Sequence, residues 1–142
     1  MLLTPDKSLC EKKQAIIVSK DRGSQVQHRA TNPQRAFDVR HYKLDGDLVT
    51  QEKCCDFLLT NDTSKNAYFI ELKGGNVDEA VSQLKAGAEK FRGELKGYDF
   101  LYRIVCSKAK THNIRSTKFR KFQEKCGARL KMSGPVMSEI LD

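Results

Sequence analysis

The sequence has no apolar run near the length of about 20 residues that a transmembrane helix requires. Its five cysteines form no Cys-x-x-Cys pair, so the ligand spacing of a structural zinc site is missing. No phosphate-binding loop, Gly-x-Gly-x-x-Gly motif or nucleophilic Ser–His–Asp or Cys–His arrangement is visible. The first residues become polar too soon for a signal peptide. These absences favour a cytoplasmic protein with reduced cysteines and no membrane partner.

The composition is that of a soluble globular protein. The 142 residues are enough for a hydrophobic core, and we expect one domain covering residues 1–142. Hydrophobic residues make up 39% of the chain and charged residues 31%, which is ordinary for this class. The net charge of +8 favours an anionic partner, above all nucleic acid, although the same charge can serve solubility alone.

The most informative stretch is a predicted hairpin. Residues 54–59 and 67–74 are short apolar runs rich in aromatic and branched side chains, which is typical of strands. The link over residues 60–66 consists of turn-forming residues, so the two runs are predicted to pair antiparallel. Strand side chains alternate between faces, so we expect Cys54 and Cys55 to point apart and not to share a metal.

Charged side chains interrupt this hairpin at one place. Alternation puts Glu71 and Lys73 on one face and Ile70 and Leu72 on the other. Burying an unpaired charge is costly, and a second acid, Asp56, begins the neighbouring strand. Two carboxylates and an ammonium at such a point can hold a divalent cation and position a water beside it. The alternative is a structural Glu–Lys pair on the open face of a sheet edge.

This arrangement resembles the signature of the PD-(D/E)xK nuclease superfamily, which has the restriction-endonuclease-like fold. The matching residues are Asp56, Glu71 and Lys73, with 14 residues between the two acids. Cys55 stands where the nominal motif has proline. The resemblance covers residues 36–108, about half of the chain. It implies an α/β fold with a mixed β-sheet, flanking helices and a ββαβ core.

The resemblance also implies a chemistry. Asp56 and Glu71 would bind Mg²⁺, or Mn²⁺ in its place, together with the backbone carbonyl of Leu72, and Lys73 would orient or activate the attacking water. The implied activity is that of a metal-dependent deoxyribonuclease, an endonuclease that hydrolyses phosphodiester bonds in DNA. Members of the superfamily often add an acid from the N-terminal region. Glu11 is the candidate here, and the alternative is a solvated residue in a charged run.

The remaining elements are predicted from periodicity and from capping residues. Residues 14–18, 25–30 (as an edge strand), 36–44, 99–106 and 128–132 are predicted strands, and residues from 133 onward are expected to form a tail. A helix is predicted over residues 77–92, with Asn76 as its N-cap. A second helix is predicted from Ser116 or Thr117 to Cys126, ended by Gly127.

A basic track is predicted around the second helix, and it is our candidate surface for nucleic acid. Its members are Lys108, Lys110, Arg115, Lys118 and Lys121. Ordinary solvation of a charged run is the alternative. In a chain this short, cutting both strands of a duplex would require a homodimer with one active site per strand.

Two other functions compete with the nuclease. The first is a non-catalytic nucleic-acid-binding or scaffold module on the same fold, which would not bind Mg²⁺ or Mn²⁺ through Asp56 and Glu71. The second is a protein–protein module, which would be favoured if no nucleic-acid binding appeared even at low salt.

Overall fold

The chain builds two β-sheets and two α-helices in the residues that the computed structural model describes, which are 1–73, 76–107 and 116–142. The side chain of Lys73 lies outside this described part. In chain order the elements are β1 (Ile16–Lys20), β2 (Gln27–Thr31), β3 (Val39–Lys43), β4 (Phe57–Asn61), β5 (Asn66–Lys73), α1 (Val77–Phe91), β6 (Asp99–Cys106), α2 (Thr117–Cys126), β7 (Leu130–Ser133) and β8 (Val136–Ile140).

The larger sheet has five strands in the order β3-β4-β5-β6-β7. β3, β4 and β5 pair antiparallel, which confirms the predicted hairpin, whereas β5, β6 and β7 pair parallel. Parallel neighbours need a crossover connection, and α1 and α2 lie in the two crossovers. The predicted mixed α/β architecture is therefore confirmed, and its centre has the order β4-β5-α1-β6.

The smaller sheet has the order β1-β2-β8 and corrects two predictions. The predicted edge strand over residues 25–30 is wrong in its position, because β2 lies between β1 and β8. The predicted tail is also wrong, because β8 pairs parallel with β2, from Gln27 opposite Val136 to Thr31 opposite Ile140. Both errors have the same physical reason. β2 and β8 pair although they are more than a hundred residues apart along the chain, and local sequence patterns do not specify such a pairing.

A buried ion pair joins the two sheets. Arg103 of β6 donates to Glu139 of β8 through Nε (2.7 Å) and Nη2 (3.0 Å). His28 Nε2 of β2 lies 2.5 Å from the same carboxylate. The guanidinium also donates to the carbonyls of Tyr102 and Arg129, each at 2.9 Å. This network explains why the otherwise apolar strand β6 carries an arginine: its charge is matched from the other sheet.

Both faces of the larger sheet are covered. On one face Leu84 of α1 and Phe122 of α2 pack in one core with Phe69. On the other face Ile17 of β1 packs in a second core with Ile70. β4 and β5 are consequently buried on both sides, which is why they appear in the sequence as nearly continuous apolar runs.

The ends of the helices follow the predicted signals. The Asn76 side chain accepts a hydrogen bond from the Glu79 N–H at 3.0 Å, and Ser116 Oγ accepts from the Phe119 N–H at 3.2 Å. Gly127 ends α2 with a φ of 57°. Both N-caps satisfy backbone donors that the first helical turn leaves open. No helix in the described ranges is long and apolar enough to cross a membrane.

The two adjacent cysteines do not behave as predicted. β4 begins at Phe57, so Cys54 and Cys55 precede it and do not alternate between its faces. Both are buried in the core beneath α1, and a Cβ added to Gly87 would lie 2.7 Å from Cys55 Sγ and 3.4 Å from Cys54 Sγ. The expectation that they point apart is therefore wrong. Gly87 lets the helix backbone approach both thiols closely.

Candidate active site

Asp56 and Glu71 lie at the open end of the β4–β5 hairpin. The last antiparallel pair between β4 and β5 joins Phe57 to Ile70, and Asp56 and Glu71 are the next residues along the chain on either side of that pair. Both acids are buried, Asp56 to 9% exposure and Glu71 to 2%.

The Asp56 carboxylate contacts the backbone of β5 directly. The Leu72 N–H donates to Asp56 Oδ2 at 2.9 Å. The N–H and C=O of one residue in an extended strand point to the same side. The Leu72 carbonyl therefore also faces the side of β5 on which Asp56 lies.

The charges around Asp56 are mixed. Lys43 Nζ lies 3.8 Å from Asp56 Oδ1 and 3.3 Å from Asp21 Oδ1. Burial raises the pKa of Asp56 above its ordinary value, and the negative charges of Asp21 and Asp45 raise it further. The Leu72 N–H and the Lys43 ammonium act in the opposite direction. Additional positive charge at this position would stabilise the ionised carboxylate.

A thiol also lies beside this pair of carboxylates. Burial raises the pKa of Cys55 well above its ordinary value, the Cys54 thiol raises it further, and the charges of Glu71 and Asp56 add to the rise. At neutral pH Cys55 therefore presents a protonated thiol, which is neutral and forms part of the apolar wall of the site.

Of the three catalytic side chains that the resemblance implies, the structure describes those of Asp56 and Glu71. Lys73 ends β5, and its backbone is in register with Cys106 of β6, but its side chain lies outside the described part. The rest of β5 alternates between the two faces as predicted. Ile70 and Leu72 contact the core between the sheets, and Phe69 contacts the core under α1. Alternation assigns Glu71 to the same face as Phe69.

The predicted extra acid does not join this group. Glu11 is exposed and lies in the segment along the start of β3, where the Lys12 carbonyl accepts from the Val39 N–H. Val39 pairs with Asn61, at the far end of β4 from Asp56. Asn61 and Asp56 are five residues apart, which corresponds to about 17 Å along a strand. Glu11 therefore lies toward the opposite end of β3 and β4 and does not join Asp56, Glu71 and Leu72.

Part of the predicted basic track is visible on α2. Lys118 and Lys121 are exposed, while Phe119 and Phe122 are buried, so the helix presents its lysines outward as predicted. Lys118 Nζ contacts Ser82 Oγ of α1. The other three members, Lys108, Lys110 and Arg115, lie outside the described residues.

A complete metal centre is not formed by protein side chains alone in the part of the chain that the structure describes, where no three His, Cys, Asp or Glu residues cluster closely enough to hold an ion. The donors that the resemblance implies, the Asp56 and Glu71 carboxylates and the Leu72 carbonyl, are all oxygen ligands. Mg²⁺ prefers oxygen donors and usually keeps several waters besides one or two carboxylates.

Comparison of the chain with protein-family models, with curated proteins and with solved structures finds no match.

Sequence reasoning did not connect Lys43 and Asp21 with Asp56. Lys43 is placed there by its pairing with Phe57 across β3 and β4. Asp21 comes from the turn after β1, which belongs to the other sheet. The alternation over residues 36–44 predicts a strand that contains Lys43, but it does not specify the pairing of that strand with the hairpin. No local signal brings Asp21 to this site.

Proposed function

We propose that the chain is a metal-dependent nuclease with a restriction-endonuclease-like fold that hydrolyses phosphodiester bonds in DNA. The observation that carries this proposal is the placement of the buried Asp56 and Glu71 at the open end of the β4–β5 hairpin, immediately before the helix of a ββαβ unit, with the Leu72 N–H bonded to Asp56 Oδ2. A buried carboxylate is costly unless a cation or hydrogen-bond donors balance its charge, and the proposed divalent ion would contribute to that balance.

Each group has a role in this proposal. Asp56 and Glu71 would hold Mg²⁺, with Mn²⁺ as a substitute, and the Leu72 carbonyl would complete the protein donors. When bound, the ion would polarise the scissile phosphate and lower the pKa of a bound water. Lys73 would orient that water and balance the charge that develops on the phosphate. The N–H of Leu72 keeps the Asp56 carboxylate in position at 2.9 Å.

The substrate class follows from charge. The chain carries a net charge of +8, and the exposed lysines of α2 project from the helix that packs beside α1. Lysines on such a surface bind the phosphate backbone without regard to sequence, so DNA affinity should fall steeply with salt.

Cleavage of supercoiled plasmid and single-stranded DNA, with Mg²⁺ or Mn²⁺, tests the proposal. We expect metal-dependent cutting by the wild type and a loss of about 100-fold or more in Asp56→Asn, Glu71→Gln and Lys73→Ala. The Asn and Gln variants keep the size of each side chain and a hydrogen-bonding oxygen, so folding should be preserved. The exposed Glu124→Gln is the matched control and should cut like the wild type.

Equal cutting by all the variants would locate the activity elsewhere or in a contaminant, and would contradict the proposed site. Loss of cutting in the control as well would point to a general effect on folding or on charge. Circular dichroism of each variant separates these cases from a specific catalytic loss.

One observation favours the non-catalytic nucleic-acid-binding module. Lys43 Nζ lies 3.8 Å from Asp56 Oδ1, so an ammonium of the protein itself already balances part of that charge. Under this alternative Asp56, Lys43 and Asp21 form a structural link between the sheets. Tight, salt-sensitive DNA binding without cutting or metal uptake, unchanged in Asp56→Asn, would establish this function instead.

A further inference from the structure

A groove of about 710 Å³ opens between α1 and α2 on the face of the larger sheet that the helices cover. This volume is in the range that holds a small-molecule-sized group. Its floor is aromatic, formed by the half-buried rings of Phe100 and Tyr102 on β6, and Phe122 of α2 forms part of its wall. The groove therefore combines concave shape with flat, partly open rings.

The groove is separate from the candidate active site. Phe100 is in register with Ala67, and Ile104 is in register with Glu71. Four residues along the strands correspond to about 13 Å. The aromatic floor thus begins near the opposite end of the same strands, where α1 ends and β6 begins.

The rim of the groove is positively charged. Five exposed cations line it, opposed by the carboxylates of Glu89 and Asp99; the cations are Lys85, Arg92, Lys96, Lys125 and Arg129. Glu89 is paired with Arg92 at 3.2 Å, so it is partly neutralised within the rim itself. The excess of positive charge on the rim favours an anionic ligand.

The buried ring of Phe69 supports both floor residues. Phe69 contacts Phe100 edge-on with centroids 5.0 Å apart and stacks on Tyr102 with centroids 6.1 Å apart. On the groove side, the Arg92 guanidinium lies 5.8 Å from the centre of Phe100. An exposed arginine in this position can turn toward a phosphate and leave the ring face to a planar group.

From this combination we infer that the groove binds single-stranded nucleic acid, with bases against Phe100 and Tyr102 and phosphates on the cations of the rim. Single-strand sites elsewhere combine aromatic platforms with a basic groove, because every base has a flat face and every linkage a charge. A duplex keeps its bases stacked on each other and cannot offer them to these recessed rings. This inference does not rest on the proposed nuclease activity, since it requires neither a metal nor Asp56.

Fluorescence anisotropy with a labelled 15-residue oligothymidylate tests the inference on the whole chain, in EDTA so that no cleavage occurs. We expect Phe100→Leu, which keeps an apolar side chain but removes the flat ring, to weaken binding about tenfold. We expect the double variant Arg92→Gln, Lys125→Gln to lower the slope of log K against log salt by roughly 1.4, or 0.7 for each lost phosphate contact.

The matched control is Lys20→Gln, Lys53→Gln, which removes the same charge from exposed positions that do not line the groove. The control should bind within about twofold of the wild type if the groove is the site. Equal weakening in the control and in the groove double variant would overturn the inference, because the binding would then reflect overall charge.

Three further measurements use the wild type alone and do not depend on the folding of a variant. Ultraviolet cross-linking of the wild type to the oligonucleotide, followed by mass spectrometry, should attach it to the peptide that contains Phe100 and Tyr102. Cross-links exclusively elsewhere would overturn the inference. So would equally tight binding of the matching duplex, or full displacement of the oligonucleotide by a poly-glutamate peptide of the same net charge, which would define a general site for acidic chains.

Discussion

Replacing Glu139 by Gln should remove the ion pair between the two sheets, and so lower the free energy of unfolding, without changing the shape of the side chain. In the wild type the Glu139 carboxylate accepts two hydrogen bonds from Arg103 and lies 2.5 Å from His28 Nε2. The neutral amide keeps one acceptor but removes the charge. Arg103, only 3% exposed, would then be a buried cation without its counter-ion.

The magnitude follows from the carboxyl group itself. Burial alone would raise the pKa of Glu139, but the hydrogen bonds from His28 and Arg103 outweigh it and lower the pKa from 4.5 to about 2. At 1.36 kcal/mol per pKa unit, this difference corresponds to about 3 kcal/mol. Removal of one partner from a buried ion pair typically costs about 3–5 kcal/mol, which agrees.

The lowered pKa of Glu139 also determines how the stability difference between the wild type and Glu139→Gln changes with pH. A carboxyl group with a lowered pKa stabilises the fold above its unfolded-state pKa and loses this contribution as the pH falls toward the folded-state value. Urea denaturation at pH 7 should therefore show Glu139→Gln less stable than the wild type by about 3 kcal/mol, and the difference should shrink as the pH is lowered from 5 toward 2. The exposed Glu124→Gln provides the baseline.

A difference below about 1 kcal/mol at pH 7, or one that stays constant down to pH 2, would refute this reasoning. Such a result would mean that the apolar core between the sheets, which contains Ile17 and Ile70, and not the ion pair, holds the smaller sheet to the larger one.

Other predictions concern backbone positions and caps. Gly87→Ala should destabilise the fold by about 1–3 kcal/mol in thermal or urea unfolding, because the new methyl group meets Cys55 Sγ at 2.7 Å, and the cost should fall below about 1 kcal/mol when Cys55→Ala is added. Gly134→Ala should cost more than about 3 kcal/mol or prevent folding, since its Cβ would overlap the Cys106 carbonyl, and unchanged stability would contradict this packing. Ser116→Ala should destabilise by about 1 kcal/mol through loss of the α2 N-cap, whereas Ser116→Thr should restore most of that stability, because its hydroxyl can still accept from the Phe119 N–H and donate to Asp78 Oδ1.

The elements that could be predicted from the sequence are those with local signals. The helix predicted over residues 77–92 is found at Val77–Phe91, because its N-cap Asn76 and its apolar stripe are encoded within its own residues. The hairpin of β4 and β5 is confirmed for the same reason: its turn residues directly separate two apolar runs. The placement of Asp56 and Glu71 next to the last pair of that hairpin, Phe57 with Ile70, follows from the same signal.

The parts that could not be predicted depend on distant pairing. β8 carries two polar side chains in five residues and is largely exposed, so its sequence does not distinguish it from a tail. Only its pairing with β2, and the burial of Glu139 against Arg103, make it a strand. The contact of Lys43 with Asp56 likewise depends on the register between β3 and β4, which no local pattern specifies.

The central claim is that Asp56 and Glu71 bind a divalent cation, and Mn²⁺ binding tests it most directly. Titration of the full chain with Mn²⁺, followed by electron paramagnetic resonance of the free ion, counts bound metal without requiring any cleavage. We expect about one Mn²⁺ per chain in the wild type, displaced by excess Mg²⁺, lost in Glu71→Gln and retained in Glu11→Gln. Absence of bound Mn²⁺ in the wild type, or the same uptake in Glu71→Gln, would contradict the claim and favour the non-catalytic binding module.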